Sequence, residues 1–220
     1  MNPDLDPDRR LALAYVPATR RPAVDALWRL DVTLGAVLVT GRDPMVSRIR
    51  LAWWRESLEK LDRAPPPAEP VLEALARRVL PEGVTGAQLA EMEQGWSLLT
   101  EPHPLSRADL DAYAQRRGGR LFRYAALLLG EAPEPAVDHA GEAWALVDLA
   151  RRSSNQAEAA AALAAACERP LPRSWPRRLR PIGMLAVLAR RDAVRAPATW
   201  EPQGSPRRML RMLGHRLTGH

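Results

Sequence analysis

The sequence predicts an all-α fold in a single domain. Apolar residues recur at helical spacing in most segments, and no stretch shows the two-residue alternation that is typical of strands. Prolines and glycines punctuate the chain where these segments begin and end. With 220 residues, 46% of them hydrophobic, the chain is long enough to bury one sizeable core.

The amino-terminal half contains two strong helix signals. We expect residues 1–10 to form a flexible tail, because two prolines interrupt them. A helix is predicted from Pro22 to Gly41, with Leu27, Leu34 and Leu38 among the residues of its apolar face. The next helix covers residues 43–61 and has Asp43 as N-cap and a proline at its first position.

The remaining segments continue the helical pattern after a stiff linker, "RAPPPAEP". Ser106 and Asp109 have the spacing of a capping box, and Gly118 and Gly119 interrupt the helix that follows. The carboxy-terminal residues 204–220 form a basic amphipathic segment. The other predicted helices are 71–80, 85–99, 136–152, an alanine-rich stretch after residue 155, and 182–191.

The composition constrains partners and compartment. The formal net charge of +6 favours anionic partners, although the near-exclusive use of arginine, with Lys60 the only lysine, is also typical of a GC-rich genome. Cys167 is the only cysteine, which fits a reducing compartment. The amino terminus does not resemble a signal peptide, and no run reaches about 20 apolar residues. We expect a cytoplasmic protein, soluble or peripheral at the inner face of the cytoplasmic membrane.

Several chemistries find no support in the sequence. The four histidines share no metal-ligand spacing, so no metal site is expected, and no P-loop or nucleophile motif is present. Nucleic-acid binding is not expected, because the tryptophans fall within helical apolar patterns. Arg116, Arg117 and Arg120 surround the Gly-Gly interruption. They are candidates for an anion site, and a solvated basic turn is the alternative.

Four segments, taken in order, resemble the squalene/phytoene synthase family. They are "YVPATRRPAVDALWRLD", "IRLAWWRESL", "LDAYAQRRGGRLFRYAALLLG" and "GEAWALVDLARR". The resemblance implies one isoprenoid-synthase helical bundle over residues 1–220, truncated at its carboxy-terminal end. It also implies two aspartate-rich motifs, which in active relatives bind magnesium and hold two prenyl diphosphates for head-to-head condensation.

Both aspartate-rich motifs are depleted in this chain. The first retains only Asp31. In the second, Ala145, Asp148, Arg152 and Gln156 stand where a glutamine, an asparagine and two metal-binding acids would be expected, and only the arginine, Arg151, is kept. This loss resembles the non-catalytic branch that includes the mitochondrial assembly factor for respiratory complex I. The resemblance implies an assembly or scaffold protein with no catalytic residues, no cofactor and respiratory complex I subunits as partners. The alternative is a prenyl-diphosphate transferase with a degenerate magnesium site.

Arg50 poses a problem within its helix. A helical projection puts it near the middle of an apolar arc, where an unpaired cation would cost several kcal/mol. We expect it to be buried against Asp31, or second against Asp148, inside a neutral network that also includes Arg151. Two alternatives are open. Arg50 extends to the rim, or Arg50 and Arg151 hold a prenyl or lipid phosphate in an open cavity.

Two further features leave alternatives open. Trp53 and Trp54 are expected to be core anchors rather than prenyl-binding residues. The basic segment from Ser205 to Gly219 is expected to contact an anionic membrane or a partner, and the alternative is that it forms the last helix of the core.

Overall fold

The computed structural model describes residues 4–40, 43–101 and 103–220, and these ranges contain eleven α-helices and no strand. The all-α prediction is confirmed. None of these helices is long and apolar enough to cross a bilayer. The helices are α1 (Pro7–Ala14), α2 (Arg21–Thr40), α3 (Pro44–Lys60), α4 (Pro70–Arg78), α5 (Gly86–Ser97), α6 (Arg107–Tyr113), α7 (Arg120–Leu128), α8 (Pro135–Arg152), α9 (Gln156–Cys167), α10 (Arg180–Ala193) and α11 (Pro206–Thr218).

Helix α8 lies at the centre of the bundle. It packs against α7, α9 and α10, while α2 packs against α3, α4 and α7 on the other side. The helices share one continuous apolar core, in which Trp28, Phe122 and Leu146 are almost completely buried. The two helices that the family resemblance associates with acidic motifs, α2 and α8, therefore both face the interior.

The predicted helix starts are confirmed where their caps are described. Asp43 accepts a hydrogen bond from the backbone N–H of Met45 at 2.8 Å. Ser106 and Asp109 form a reciprocal capping box at the start of α6. The stop predicted at Gly41 lies outside the described residues.

The Gly-Gly interruption is a π-helical turn. Residues 114–119 form this π-segment, which joins α6 to α7 without a break in the helical path. A Cβ on Gly118 would lie 2.0 Å from the carbonyl oxygen of Gly141 on α8. The two backbones can approach this closely only because both positions are glycine, so the π-segment and α8 are held in direct contact.

Residues 7–10 belong to a helix rather than to a flexible tail. Asp6 caps α1 by accepting a hydrogen bond from the N–H of Arg9 at 2.9 Å, and Pro7 occupies the first helical position. Asp8 and Arg9 are both buried. The tail prediction is therefore wrong for residues 7–10, because burial of these charged groups against other helices fixes the segment.

The basic carboxy-terminal segment is docked on the bundle. Helix α11 packs on α10 and α1, and Arg208, Met212 and His215 are buried. The guanidinium of Arg208 donates to Asp8 at 2.8 Å and to Asp192 at 2.7 Å. Helix α11 therefore packs as the last helix of the core, which was the alternative. Its inward-facing residues are Arg208, Met212 and His215, whereas Leu217 is 79% exposed.

Deletion of residues 205–220 is expected to lower the melting temperature and the cooperativity of unfolding. The deletion would leave the carboxylates of Asp8 and Asp192 without Arg208 and would expose the apolar site of Met212. Circular dichroism melting of the full and shortened chains measures this. An unchanged melting curve would show that α11 is only loosely attached.

Candidate functional site

Asp31 occupies a fully buried position in the middle of α2. Its Oδ1 atom accepts hydrogen bonds from Trp96 Nε1 and Arg117 Nε, both at 3.0 Å. Its Oδ2 atom accepts from Arg117 at 3.1 Å and from Arg9 at 2.8 Å. Both oxygens of the carboxylate are therefore saturated by donors from other segments.

Arg117 joins Asp31 to Asp148. Its side chain is 1% exposed and binds Asp31 in a bidentate manner, and one terminal nitrogen also donates to Asp148 Oδ2 at 2.7 Å. The other terminal nitrogen donates to the hydroxyl of Tyr113. A single guanidinium thus bridges Asp31, which remains from the first depleted motif, and Asp148, which lies within the segment of the second. We call Arg9, Asp31, Arg117 and Asp148 the central network.

Aromatic rings enclose the cations of this network. The guanidinium carbon of Arg117 lies 4.0 Å from the centroid of the Trp96 ring and 4.9 Å from that of Trp144. The guanidinium carbon of Arg9 lies over the ring of Trp144, 4.7 Å from its centroid. Cation–π contacts of this kind gain strength when water is excluded, so the rings stabilise the buried charges in addition to the carboxylates.

Local sequence explains how these groups meet. A Cβ on Gly95 would lie 2.8 Å from the backbone nitrogen of Arg117, and one on Gly35 would lie 2.7 Å from the ring of Trp96. Gly95 lets the π-segment approach α5. Gly35 lets the indole of Trp96 lie beside Asp31, where the family resemblance would place the next carboxylate of the first acidic motif.

The charges of the network shift the pKa values of its members. Burial alone would raise the pKa of Asp31, but attraction to Arg117 and Arg9 lowers it below its ordinary value. Asp148 is likewise buried, and attraction to Arg117 and Arg152 holds its pKa well below the ordinary range. Burial raises the pKa of Tyr113 to about 12. At neutral pH both carboxyls are therefore ionised and Tyr113 keeps its proton.

These shifts predict loss of stability in acid. A carboxyl whose pKa is lower in the folded state stabilises fully above its unfolded pKa, near 3.8, and loses that contribution as the pH falls toward the folded value. We expect the free energy of unfolding to fall below about pH 4, and to fall less steeply in Asp148→Asn, which removes one titrating group. Urea unfolding at several pH values tests this. Identical slopes for the two proteins would contradict it.

The structure does not place Arg50 or Arg151 in this network. Arg50 is exposed on α3, so its predicted burial against Asp31 or Asp148 is wrong. The buried side of α3 contains Ser47, Leu51 and Leu58, and Arg50 lies with Ile49 and Trp53 on the exposed side. Arg151 instead donates to Asp192 at 2.7 Å, in a second group of charges that includes Arg208.

The other predicted residues divide between core and surface. Trp54 is buried as expected, whereas Trp53 is 46% exposed, so its assignment to the core is wrong. Of the three arginines near the glycines, Arg116 is exposed and Arg120 pairs with Glu91 at 2.6 Å. Arg117 is neither in a solvated turn nor open to an anion from solvent, because it is bound to Asp31 and Asp148.

A cavity of about 880 Å³ opens beside the central network. Asp31 and Arg117 contribute to its inner wall, and Arg152 and His103 stand on the polar side. His103 pairs with Glu158 at 2.6 Å, and this hydrogen bond raises the pKa of the imidazole. Apolar side chains form the rest of the wall, among them Val32, Leu38, Leu99 and Leu149. The volume and mixed lining are typical of sites for small amphiphilic molecules.

Comparisons with known proteins identify the family. The model of the squalene/phytoene synthase family matches residues 4–175, which is more than half of the chain. The chain belongs to the squalene/phytoene synthase family. A crystal structure of a dehydrosqualene synthase in complex with ligand is similar in fold, with a TM-score of 0.63 and 15% sequence identity. The match covers 96% of this chain and 90% of that one. No curated protein matches the sequence.

The magnesium site that the family resemblance implies does not fit the residues present. Asp31 and Asp148 supply one carboxylate from each helix, and the oxygens of Asp31 already accept four hydrogen bonds. Within the described ranges, no group of three or more acidic, histidine or cysteine side chains is placed to hold a metal ion. Divalent cations of this class need several free oxygen ligands, and the described part of the chain does not provide them beside Asp31 and Asp148.

Sequence reasoning missed the residues that complete the network. Arg9 was assigned to a tail, although Asp6 followed by Pro7 is the same cap signal as Asp43 followed by a proline. Arg117 has a signal too, because Tyr113 lies four residues before it on one helical face and contacts it. No feature of the sequence indicates that Trp96 would donate to Asp31.

Proposed function

We propose that this protein is a non-catalytic member of the squalene/phytoene synthase family that acts as an assembly or scaffold protein. The observation that supports this is the guanidinium of Arg117, which binds both Asp31 and Asp148. In the active relatives that the sequence resembles, carboxylates at these two helices bind magnesium. Here a cation that belongs to the chain itself binds the remaining acid of the first motif, Asp31, and the buried carboxylate of Asp148 on the second helix.

Charge balance strengthens this argument. Arg9, Asp31, Arg117 and Asp148 sum to zero formal charge inside the protein. A magnesium ion would bring two positive charges next to two buried guanidinium groups, where the low dielectric makes repulsion strong. Binding would require Arg117 to leave its carboxylates and both indole rings. The network is therefore better suited to holding the bundle together than to neutralising a diphosphate leaving group.

The proposed role is contact with other proteins at the cytoplasmic face of the membrane. Its support is the resemblance of the depleted motifs to the branch that contains the assembly factor for respiratory complex I. We accordingly propose complex I subunits as partners. Purification of the tagged full-length chain from its native host, with the same host producing the tag alone as the control, tests this. If complex I subunits do not copurify with the wild type, the assembly role is contradicted.

The cavity supports a second proposal, retention of an amphiphilic ligand without metal. Its apolar wall suits a prenyl or acyl chain, and Arg152, whose side chain is 57% exposed, could meet a phosphate. Binding of farnesyl diphosphate in the presence of a chelator, measured by quenching of tryptophan fluorescence, tests this. A loss of affinity in Arg152→Ala is expected, and no saturable binding by the wild type would contradict it.

Turnover decides between the main proposal and the alternative of a transferase with a degenerate site. The full-length protein is incubated with farnesyl or geranylgeranyl diphosphate and magnesium, with a dehydrosqualene synthase as the positive control. We expect no condensation product and no diphosphate release above the level without protein. Product formation by the wild type that Asp31→Asn abolishes would establish the transferase alternative.

A further inference from the structure

One face of α3 exposes large apolar side chains to solvent. Met45 is 68% exposed, Ile49 65%, Trp53 46% and Val46 41%. Large apolar residues that are exposed together rather than singly mark a contact surface. We call these four residues of α3 the apolar ridge.

The ridge has a regular geometry along the helix. Met45, Ile49 and Trp53 follow one another at intervals of four residues, which places them on one face over about 12 Å of helix. The ring of Trp53 packs edge-on against the ring of Trp54, with centroids 5.3 Å apart. Trp54 itself is buried in the core. The ridge is thus supported from beneath by the bundle and projects outward.

Arginines flank the ridge on both sides. Arg48 donates to the carbonyl of Thr100 at 2.9 Å and lies 3.6 Å from Glu101, so one flank is held in place and partly neutralised. Arg50 lies on the other flank. It is exposed, and no carboxylate of the described ranges forms an ion pair with it. Glu56, which follows Trp53 on this face, is paired with Lys60 at 3.8 Å. Arg50 therefore contributes a positive charge that no acid of the described ranges neutralises beside the exposed apolar residues.

We propose that the apolar ridge docks on the surface of an anionic lipid bilayer. Aromatic and aliphatic side chains on a helix face enter the boundary between headgroups and acyl chains, while arginines beside them contact lipid phosphates. The fit rests on charge complementarity and on the projecting shape of a single helix edge. This inference concerns the outer surface alone and stands or falls separately from the proposed function.

The start of α3 lies close to the cavity wall. Arg48 of α3 donates to the carbonyl of Thr100 at 2.9 Å, and Leu99, the residue before it, lines the cavity beside the central network. Val39 of α2 also lines the cavity and is 82% exposed, so the apolar wall reaches solvent. A bilayer seated on the ridge would lie near this part of the wall.

Vesicle sedimentation of the full-length protein tests the proposal. The vesicles contain phosphatidylcholine alone or phosphatidylcholine with phosphatidylglycerol, each at low and high salt. We expect binding to the anionic vesicles. The affinity of the double variant Ile49→Ser with Trp53→Ser for these vesicles should fall by about tenfold or by a larger factor. Arg50→Ala should bind about fivefold more weakly at low salt, with the difference fading at high salt.

A matched pair of substitutions on α11 is the control. Leu210 and Leu217 are 68% and 79% exposed, so Leu210→Ser with Leu217→Ser removes similar apolar surface elsewhere on the protein. We expect this control to bind vesicles like the wild type. It and Arg50→Ala should melt like the wild type because the substituted residues are exposed, and circular dichroism at the assay temperature checks that the Trp53→Ser variant, which loses a ring contact with Trp54, is still folded. Failure of the wild type to bind, or loss of binding only in the control, would overturn the proposal. So would loss of self-association in the ridge variant without any effect on vesicle binding.

Discussion

Arg117→Ala is expected to destabilise the protein by about 3 to 5 kcal/mol, because it leaves two buried carboxylates without their shared cation. Asp31 would keep Arg9 and Trp96 as donors, and Asp148 would keep the solvent-facing Arg152. Two indole rings would also lose the guanidinium that lies over them. Urea unfolding near neutral pH, followed by circular dichroism, measures the change.

Two variants show whether the effect arises from the network. Arg116→Ala removes the neighbouring arginine, which is exposed, and should change the free energy of unfolding by under about 0.5 kcal/mol. Arg117→Lys keeps the charge but not the bidentate geometry, so its stability should lie between those of Arg117→Ala and the wild type. If Arg116→Ala and Arg117→Ala cost the same, Arg117 does not bind the two aspartates.

Gly118→Ala is expected to destabilise the protein by about 3 kcal/mol or more, at the upper end of what overpacking costs. The new Cβ would lie 2.0 Å from the carbonyl oxygen of Gly141 and 2.6 Å from the Cβ of Ala145. A backbone oxygen cannot move aside as a flexible side chain does. The π-segment and α8 would have to separate, which would also displace Arg117 from Asp148.

The adjacent glycine is the matched control. A Cβ on Gly119 would meet nothing closer than 3.5 Å, and this residue has ordinary helical dihedral angles, φ −57° and ψ −49°. Gly119→Ala should therefore be neutral or should stabilise by up to about 1 kcal/mol, the helix-propensity difference between the two residues. Thermal melting of the two variants compares them. Equal destabilisation would indicate that the close helix crossing is misplaced.

Most helices could be predicted from the sequence because capping residues and apolar periodicity act within one segment of the chain. Asp43, Thr85 and Ser106 cap the helices that were predicted to begin at or next to them. The apolar periodicity of α8 likewise predicted a buried helix over nearly its observed length. In these segments propensity, capping and tertiary packing all favour the same structure.

The elements that were mispredicted depend on contacts between distant residues. Helix α1 is fixed by pairs such as Arg9 with Asp31 and Asp8 with Arg208, and the second pair joins residues 200 positions apart. The π-segment depends on the meeting of Gly118 with Gly141. Neither relationship has a local periodicity, so neither could be obtained from the pattern of one segment.

The acidic residues of the candidate site could be predicted from the sequence, and the arginines that bind them could not. Asp31 and Asp148 were expected to point inward, and both are buried. Their cation was assigned to Arg50 because a helical projection shows which residues share an arc but not which part of that arc is covered. On α3 the side with Ser47, Leu51 and Leu58 is covered, whereas the side with Ile49, Arg50 and Trp53 is exposed. Arg117 supplies the charge instead.

Binding of Mn²⁺, a paramagnetic ion with ligand preferences close to those of Mg²⁺, tests most directly whether Arg117 has closed the metal site. Electron paramagnetic resonance records Mn²⁺ with inorganic diphosphate in the presence of the wild type, of Asp31→Asn and of no protein. Because Asp31 and Asp148 are already bound to Arg117, we expect the same spectrum in all three samples. A saturable change that the wild type produces and Asp31→Asn does not would contradict this account.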